Sequence, residues 1–134
     1  ALTELIEACS DWRLWPLCGR PAMRGPQEHV QERIALLGDA AHPMLPYLAQ
    51  GAGMAIEDAA ALASQLSGVS AADVPQQLQQ FAHARWQRNA RVQARAVRNG
   101  RIFHAQGAMR IGRDMGLRWM GARLMDVPWL YGHR

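Results

Sequence analysis

The chain has 134 residues, 49% of them hydrophobic, and a formal net charge of +4. That is long enough to bury the core of one domain and too apolar for a disordered chain, while no segment is long and apolar enough to span a membrane and the opening residues do not read as a signal peptide. Cys9 and Cys18, the two cysteines, have neither a CxxC spacing nor a nearby histidine pair, which removes the usual signs of a zinc site or a disulfide framework and makes a reducing cytoplasm the expected setting.

Leu2, Leu5, Ile6 and Cys9 follow the i, i+3, i+4, i+7 spacing of a short amphipathic helix. In Trp12 to Leu17 the residues Trp12, Leu14 and Pro16 alternate with Arg13, Trp15 and Leu17, which predicts an extended edge segment, because an edge strand tolerates a proline that has no N–H to pair. Gly19 to Gln31 contains Pro21, Gly25 and Pro26 and reads as a loop or the turn of a hairpin. It leads into Arg33-Ile34-Ala35-Leu36-Leu37, an apolar run of strand length that ends at Gly38.

Next come Gly38-Asp39-Ala40-Ala41-His42-Pro43, then Pro46, then Gln50-Gly51-Ala52-Gly53-Met54-Ala55-Ile56-Glu57-Asp58-Ala59. A strand end, a loop and a helix start converge here. Glycines let backbone approach a ligand closely, and the free N–H groups of a first helical turn suit an anionic or electron-rich group. From Gly51 to Leu66 the pattern is apolar on nearly every face, with Met54, Ile56, Leu62 and Leu66 among alanines, which predicts a buried helix. Gly68 is its stop signal, and Asp73 with Pro75 starts the next helix.

That second helix extends from about Val74 to Phe103, a length of roughly 45 Å at the helical rise. Leu78, Phe81, Ala82, Trp86, Ala90 and Val97 lie on one side, and Arg85, Arg88, Arg91, Arg95, Arg98 and Arg101 on the other. All fifteen basic residues are arginines, and eleven of them lie from Arg85 onward, where the acids are Asp114 and Asp126. A last amphipathic segment covers about Ala108 to Met125, and Pro128 precedes an aromatic tail.

The Gly-Asp-Ala-Ala-His-Pro run, Pro46 and the Gln-Gly-x-Gly-x-Ala-x-Glu-Asp-Ala run resemble the second flavin motif of the single-component FAD-dependent aromatic hydroxylases. In pattern the chain is most similar to the salicylate, 3-hydroxybenzoate and 6-hydroxynicotinate hydroxylases. The likeness continues through Arg85-Trp86-Gln87-Arg88-Asn89-Ala90-Arg91-Val92-Gln93 and Trp129-Leu130-Tyr131-Gly132. It concerns only the last third of such an enzyme. The Gly-x-Gly-x-x-Gly turn that holds the ADP half of FAD is absent, since Gly51-Ala52-Gly53 has Ile56 where the third glycine would fall.

The resemblance implies a C-terminal fragment, mainly α with a few short strands, from the α/β FAD-binding fold. Residues 1–30 would end the substrate domain, and residues 31–134 would be the C-terminal part of the FAD-binding domain with its long helices. The whole enzyme would hydroxylate a small phenolic aromatic acid with FAD, NAD(P)H and O2, its ADP-binding part lying outside this chain. By the same resemblance Asp39 would accept hydrogen bonds from the ribityl hydroxyls, with Gly38 beside it. Pro46 would lie by the flavin ring, and the backbone of Gln50, Gly51, Ala52, Gly53 and Met54 would face the pyrimidine edge of the isoalloxazine. No catalytic acid or base and no metal ligand is implied, and the isolated chain is not expected to turn over.

Each feature also has a plainer reading. Asp39 could cap a turn at the end of a buried strand. His42 reads as a hydrogen-bonding loop residue, because His29, His83, His104 and His133 show no ligand spacing with it. Glu57 and Asp58 suit the positive end of their helix and are read as structural. The arginine stripe reads first as a solvated or internally paired face. As alternatives, the chain would be a stand-alone helical interaction module, or a nucleic-acid-binding remnant using that stripe, although the stripe lacks interleaved stacking aromatics.

Overall fold

A computed structural model of the chain describes residues 2–121 and 128–131. In chain order the elements are α1 (Leu2–Glu7), β1 (Val30–Gln31), β2 (Ile34–Ala35), α2 (Gly51–Leu66), α3 (Val74–Phe103), α4 (Gly107–Met120) and α5 (Pro128–Tyr131). Short 3-10 turns occupy Pro26–Glu28, Gly38–Ala40 and Pro46–Leu48. The architecture is mostly helical, as the apolar periodicity predicts.

The centre is the hairpin of α2 and α3. Gly68 adopts φ +69, a left-handed conformation that ends α2 without a Cβ penalty. Asp73 then sits at the N-cap of α3 with Pro75 in its first turn, where the missing N–H removes no helical bond. Near that hairpin end the Gln65 amide donates to the side-chain oxygens of Gln77 (2.7 Å) and Gln80 (2.6 Å). Val30, Leu78, Phe81 and Ala82 form one core cluster, with Leu37, Leu62 and Leu66 packed against it. Met54, Val92 and Leu130 form a second, with Met44, Leu48 and Trp129 around it.

β1 and β2 pair antiparallel, Val30 opposite Ala35 and Gln31 opposite Ile34, across a turn in which Glu32 takes φ 52. The strand expected over Arg33 to Leu37 is therefore two residues long. It is not buried on both faces either, because Ile34 is 67% exposed and no third strand among the described residues adjoins it.

At the N-terminus the short helix forms as expected, and the extended edge segment needs correction. None of the α1 residues is buried. Trp12 to Leu17 makes no strand, and Leu14 is 97% exposed. These residues have the right pattern but nothing among the described residues to pack or pair against. α2 is also less buried than its composition predicts, since Met54 and Asp58 alone are buried and Ile56 faces out. On α3 the buried row runs through Leu78, Phe81 and Ala82 to Asn89, Val92, Gln93, Ala96 and Gly100, leaving Trp86, Ala90 and Val97 half-buried. The segment expected to reach Met125 is helical to Met120, and residues 122–127 lie outside the described part. No described helix is long and apolar enough to cross a membrane.

Candidate flavin-contacting site

The turn after β2 begins at Gly38, whose φ of +54 is a conformation that strains side-chain-bearing residues. Its carbonyl accepts the N–H groups of Ala41 (3.0 Å) and His42 (2.8 Å), closing the turn. A Cβ at Gly38 would lie 3.1 Å from Cβ of Ala55, so the turn packs directly against α2. The Asp39 side chain is exposed, and its Oδ1 lies 3.9 Å from where a Cβ on Gly51 would stand. An exposed carboxylate and a helix N-terminus thus share one surface.

Gln50 is the N-cap of α2 and makes no side-chain capping bond. The helix's first i to i−4 bond runs from Met54 N–H to the Gln50 carbonyl at 2.9 Å. The N–H groups of Gly51, Ala52 and Gly53 precede it and have no intrahelical acceptor. Met54 is 1% exposed, and its side chain belongs to the second core cluster. Pro46, itself exposed, opens a 3-10 turn capped by Ala49, a non-glycine residue at φ 52. The arrangement offers acceptor oxygens from Asp39 and donors plus a positive dipole end from α2, a pairing suited to a ligand with both hydroxyls and an electron-rich edge.

Behind this surface lies a buried polar network. His42 Nε2 is 2.5 Å from Asp58 Oδ2, with both side chains sealed from solvent. Asp58 Oδ1 also accepts Arg85 Nε at 2.7 Å, and the Asn89 amide lies 3.1 Å from each carboxylate oxygen. Asn89 Nδ2 reaches His29 Nε2 at 2.9 Å, and His29 Nδ1 lies 2.9 Å from the Leu36 carbonyl. Burial works to raise the Asp58 pKa, but the bonds from His42, Arg85 and Asn89 outweigh it and hold the carboxyl below its ordinary range. Burial lowers the His29 pKa against the pull of Asp58.

His29, His42 and Asp58 place three potential ligand atoms within 4.8 Å of one another. Those atoms already satisfy each other and Asn89, and a dication there would face the Arg85 guanidinium on the same carboxylate. The donor set is that of a hydrogen-bonded keystone.

Glu57 completes the network by accepting Arg88 on both oxygens (2.7 and 2.8 Å) and Arg85 (2.8 Å). Arg88 holds the Glu57 carboxyl below its ordinary pKa, Arg85 adding to the effect. Arg88 also donates to the carbonyls of Trp129 and Leu130, each at 3.2 Å, and Arg91 lies over the Trp129 ring at 3.9 Å. The first three arginines of the stripe are thus engaged inside the molecule. The spacing of Arg85, Asn89 and Gln93, polar residues at i, i+4, i+8 on the inward side of α3, with Asn89 and Gln93 buried and Arg85 half-buried, is the signal that could have located this network in the sequence.

A cavity of about 770 Å³ adjoins the Pro46–Ala49 loop, walled by the end of α3 and by α4, with Arg95, Ile102, Phe103 and Met109 in its lining. Arg95 Nε is buried there without a partner among the described residues.

A family model described as an FAD binding domain matches residues 22–97, more than half of the chain. The chain belongs to this FAD-binding family. Among proteins similar to it, a 3-hydroxybenzoate 6-hydroxylase of Aquipseudomonas alcaligenes is 40% identical over 133 residues, covering 97% of this chain and 32% of the relative. A 3-amino-4-hydroxybenzoate 2-monooxygenase of Streptomyces platensis is 39% identical over 132 residues, 98% of this chain and 32% of the relative. Salicylate hydroxylase of Pseudomonas putida is 35% identical over 136 residues, 99% and 29% of the two chains. The chain spans about a third of the length of the curated relatives it matches. The family match includes both the turn at Gly38 to Ala40 and the N-terminus of α2, the two features that form the exposed donor and acceptor surface.

Proposed function

We propose that the chain is the flavin-contacting part of a longer FAD-dependent monooxygenase that hydroxylates a phenolic aromatic acid with NAD(P)H and O2. The observation that carries this reading is the shared surface of the Asp39 carboxylate and the uncapped N-terminus of α2, within a chain of the FAD-binding family. Asp39 would accept hydrogen bonds from the ribityl hydroxyls. The N–H groups of Gly51, Ala52 and Gly53 would face the pyrimidine edge, where a helix N-terminus stabilises the negative charge of the reduced ring. The Met54 N–H, expected to face that edge with them, is already bonded to the Gln50 carbonyl, so Met54 would steady the helix end through its buried side chain, and Pro46 would border the ring. When bound, FAD supplies the redox chemistry; these residues hold and orient it.

The division at residue 30 belongs to the same reading. Leu14, Trp15 and the apolar face of α1 are exposed, as expected of a segment that ends a substrate domain and packs on chain outside these residues. Residues 31–134 would complete the FAD-binding domain, and the ADP-binding part would be supplied by the rest of the enzyme. A salt-dependent nucleic-acid interface has less support, because Arg85 and Arg88 are paired with Glu57 and Asp58.

Two measurements test the proposal. Titrating FAD into the chain should quench flavin fluorescence, and Asp39→Ala should weaken that binding. The whole enzyme, assayed with NADH or NADPH and a hydroxybenzoate, should consume O2 and release a hydroxylated product. A whole enzyme that binds FAD but leaves every such acid unchanged would remove the substrate class.

A further inference from the structure

Gly100 is a glycine inside the last turns of a long helix, a position where the residue weakens the helix and needs a reason. The reason is Tyr47. A Cβ at Gly100 would lie 2.6 Å from Tyr47 Cδ2 and 2.7 Å from Cε2, so the ring occupies the space that any other residue would fill. The preceding residue fastens the backbone of the same loop, since Asn99 Nδ2 donates to the Tyr47 carbonyl at 3.1 Å. Phe103 and His104 meet the ring edge-to-face, with centroids at 5.9 and 5.3 Å.

The loop held in this way is itself strained. It closes with Ala49 at φ 52, a left-handed conformation that a residue with a Cβ keeps only when its surroundings impose it. Ala49 passes the chain directly to Gln50, the N-cap of α2, and Leu48 anchors the same stretch against the Met54 cluster. Moving Tyr47 off the helix would release Ala49 and shift Pro46 and Gln50 together.

We propose that Gly100 and Asn99, at the far end of α3, are positioning residues for the flavin-facing loop Pro46 to Gln50. They would act through Tyr47, Gly100 by admitting its ring and Asn99 by holding its carbonyl. The loop side of this proposal stands on the contacts above; its consequence for the flavin rests on the proposed function.

The test uses Gly100→Ala and Asn99→Ala. Gly112→Ala is the control, a helical glycine on α4 whose added Cβ meets nothing within 4 Å. Amide exchange on the chain without ligand reads the loop alone. Gly100→Ala and Asn99→Ala should each speed exchange at Tyr47 to Gln50 by about ten-fold, while the hairpin end of α2 and α3 and the Gly112→Ala control keep wild-type protection. Unchanged exchange in both variants would overturn the proposal whether or not the chain carries flavin. In the whole flavin-loaded enzyme the same two variants should retain FAD, alter its visible spectrum and lower product formed per NAD(P)H by about threefold, the remainder appearing as hydrogen peroxide. A faster-exchanging loop with unaltered spectrum and product yield would overturn the positioning role. Failure of the wild-type enzyme to hold FAD would instead strike the proposed function and leave the exchange result to decide whether Gly100 and Asn99 hold the loop.

Discussion

His42 in the loop after the Asp39 turn and Asp58 in α2 hold each other at 2.5 Å, with neither side chain reaching solvent. The bond ties the turn that presents Asp39 to the helix whose N-terminus stands beside it. Through Arg85 and Asn89 it also ties both to α3. Removing the carboxylate strands three donors in the interior, and breaking a buried charged pair costs about 3–5 kcal/mol. Asp58→Ala should therefore lower urea-unfolding stability by that amount. A loss of under about 1 kcal/mol would mean that the network does not anchor the fold.

The same network sets an acid limit. Folding depresses the pKa of both His29 and Asp58, so between the folded and unfolded values the unfolded chain binds more protons. Stability then falls as pH falls. The His29 contribution should be complete above about pH 6.5 and decline below it, and the Asp58 contribution should decline below about pH 4. Urea midpoints measured from pH 8 to pH 3 should show the two limbs. His29→Gln should flatten the first, and a wild-type curve level from pH 7 to pH 5 would contradict the assignment.

Sequence patterns were sufficient to place α2 and α3, because a glycine stop, a proline start and long apolar periodicity are local signals that tertiary structure had no reason to override. They were insufficient for the hydrogen-bonded role of Asp58. Its position in α2 is equally consistent with a favourable helix-dipole contact, and its partners lie 16 to 31 residues away in sequence. Trp12 to Leu17 failed for another reason. Alternation reports that a segment could serve as an edge, but an edge needs a neighbouring strand, and none of the described residues supplies one. The role proposed for Asp39 rests on its surrounding motif, since position alone also fits a capping role.

Asp39 offers a clean separation of binding from stability. Its side chain is exposed, so truncation leaves no buried group unpaired. Asp39→Ala should change the unfolding free energy by less than about 0.5 kcal/mol. It should raise the FAD dissociation constant by about ten-fold or more, as expected when a charged acceptor is lost from ligand hydroxyls. Equal affinity in the two proteins would take Asp39 out of the site.

Gly38 should behave in the opposite way. Its φ of +54 strains any side-chain-bearing residue, and its missing Cβ leaves room for Ala55 at 3.1 Å. Gly38→Ala should cost about 1–3 kcal/mol through backbone strain and push the turn away from α2. Urea unfolding reads the cost. An unchanged midpoint would show that the turn relaxes freely.

Arg88 joins three elements of the fold. Its guanidinium spans both oxygens of Glu57 in α2 and the carbonyls of Trp129 and Leu130 in α5, while its own backbone belongs to α3. Leu130, held by that contact, packs against Met54 in the first turn of α2, so the C-terminal turn buttresses the helix end that faces the proposed flavin. A lysine keeps the charge but lacks the planar fork, and cannot serve four acceptors on two elements. Arg88→Lys should cost about 1.5–3 kcal/mol, the range for hydrogen bonds to charged groups. It should also raise amide exchange at Trp129 to Tyr131 and then, because Leu130 packs in the Met54 cluster, at the start of α2. Faster exchange confined to α5 would mean that the C-terminal turn is held by Arg88 but gives α2 no support.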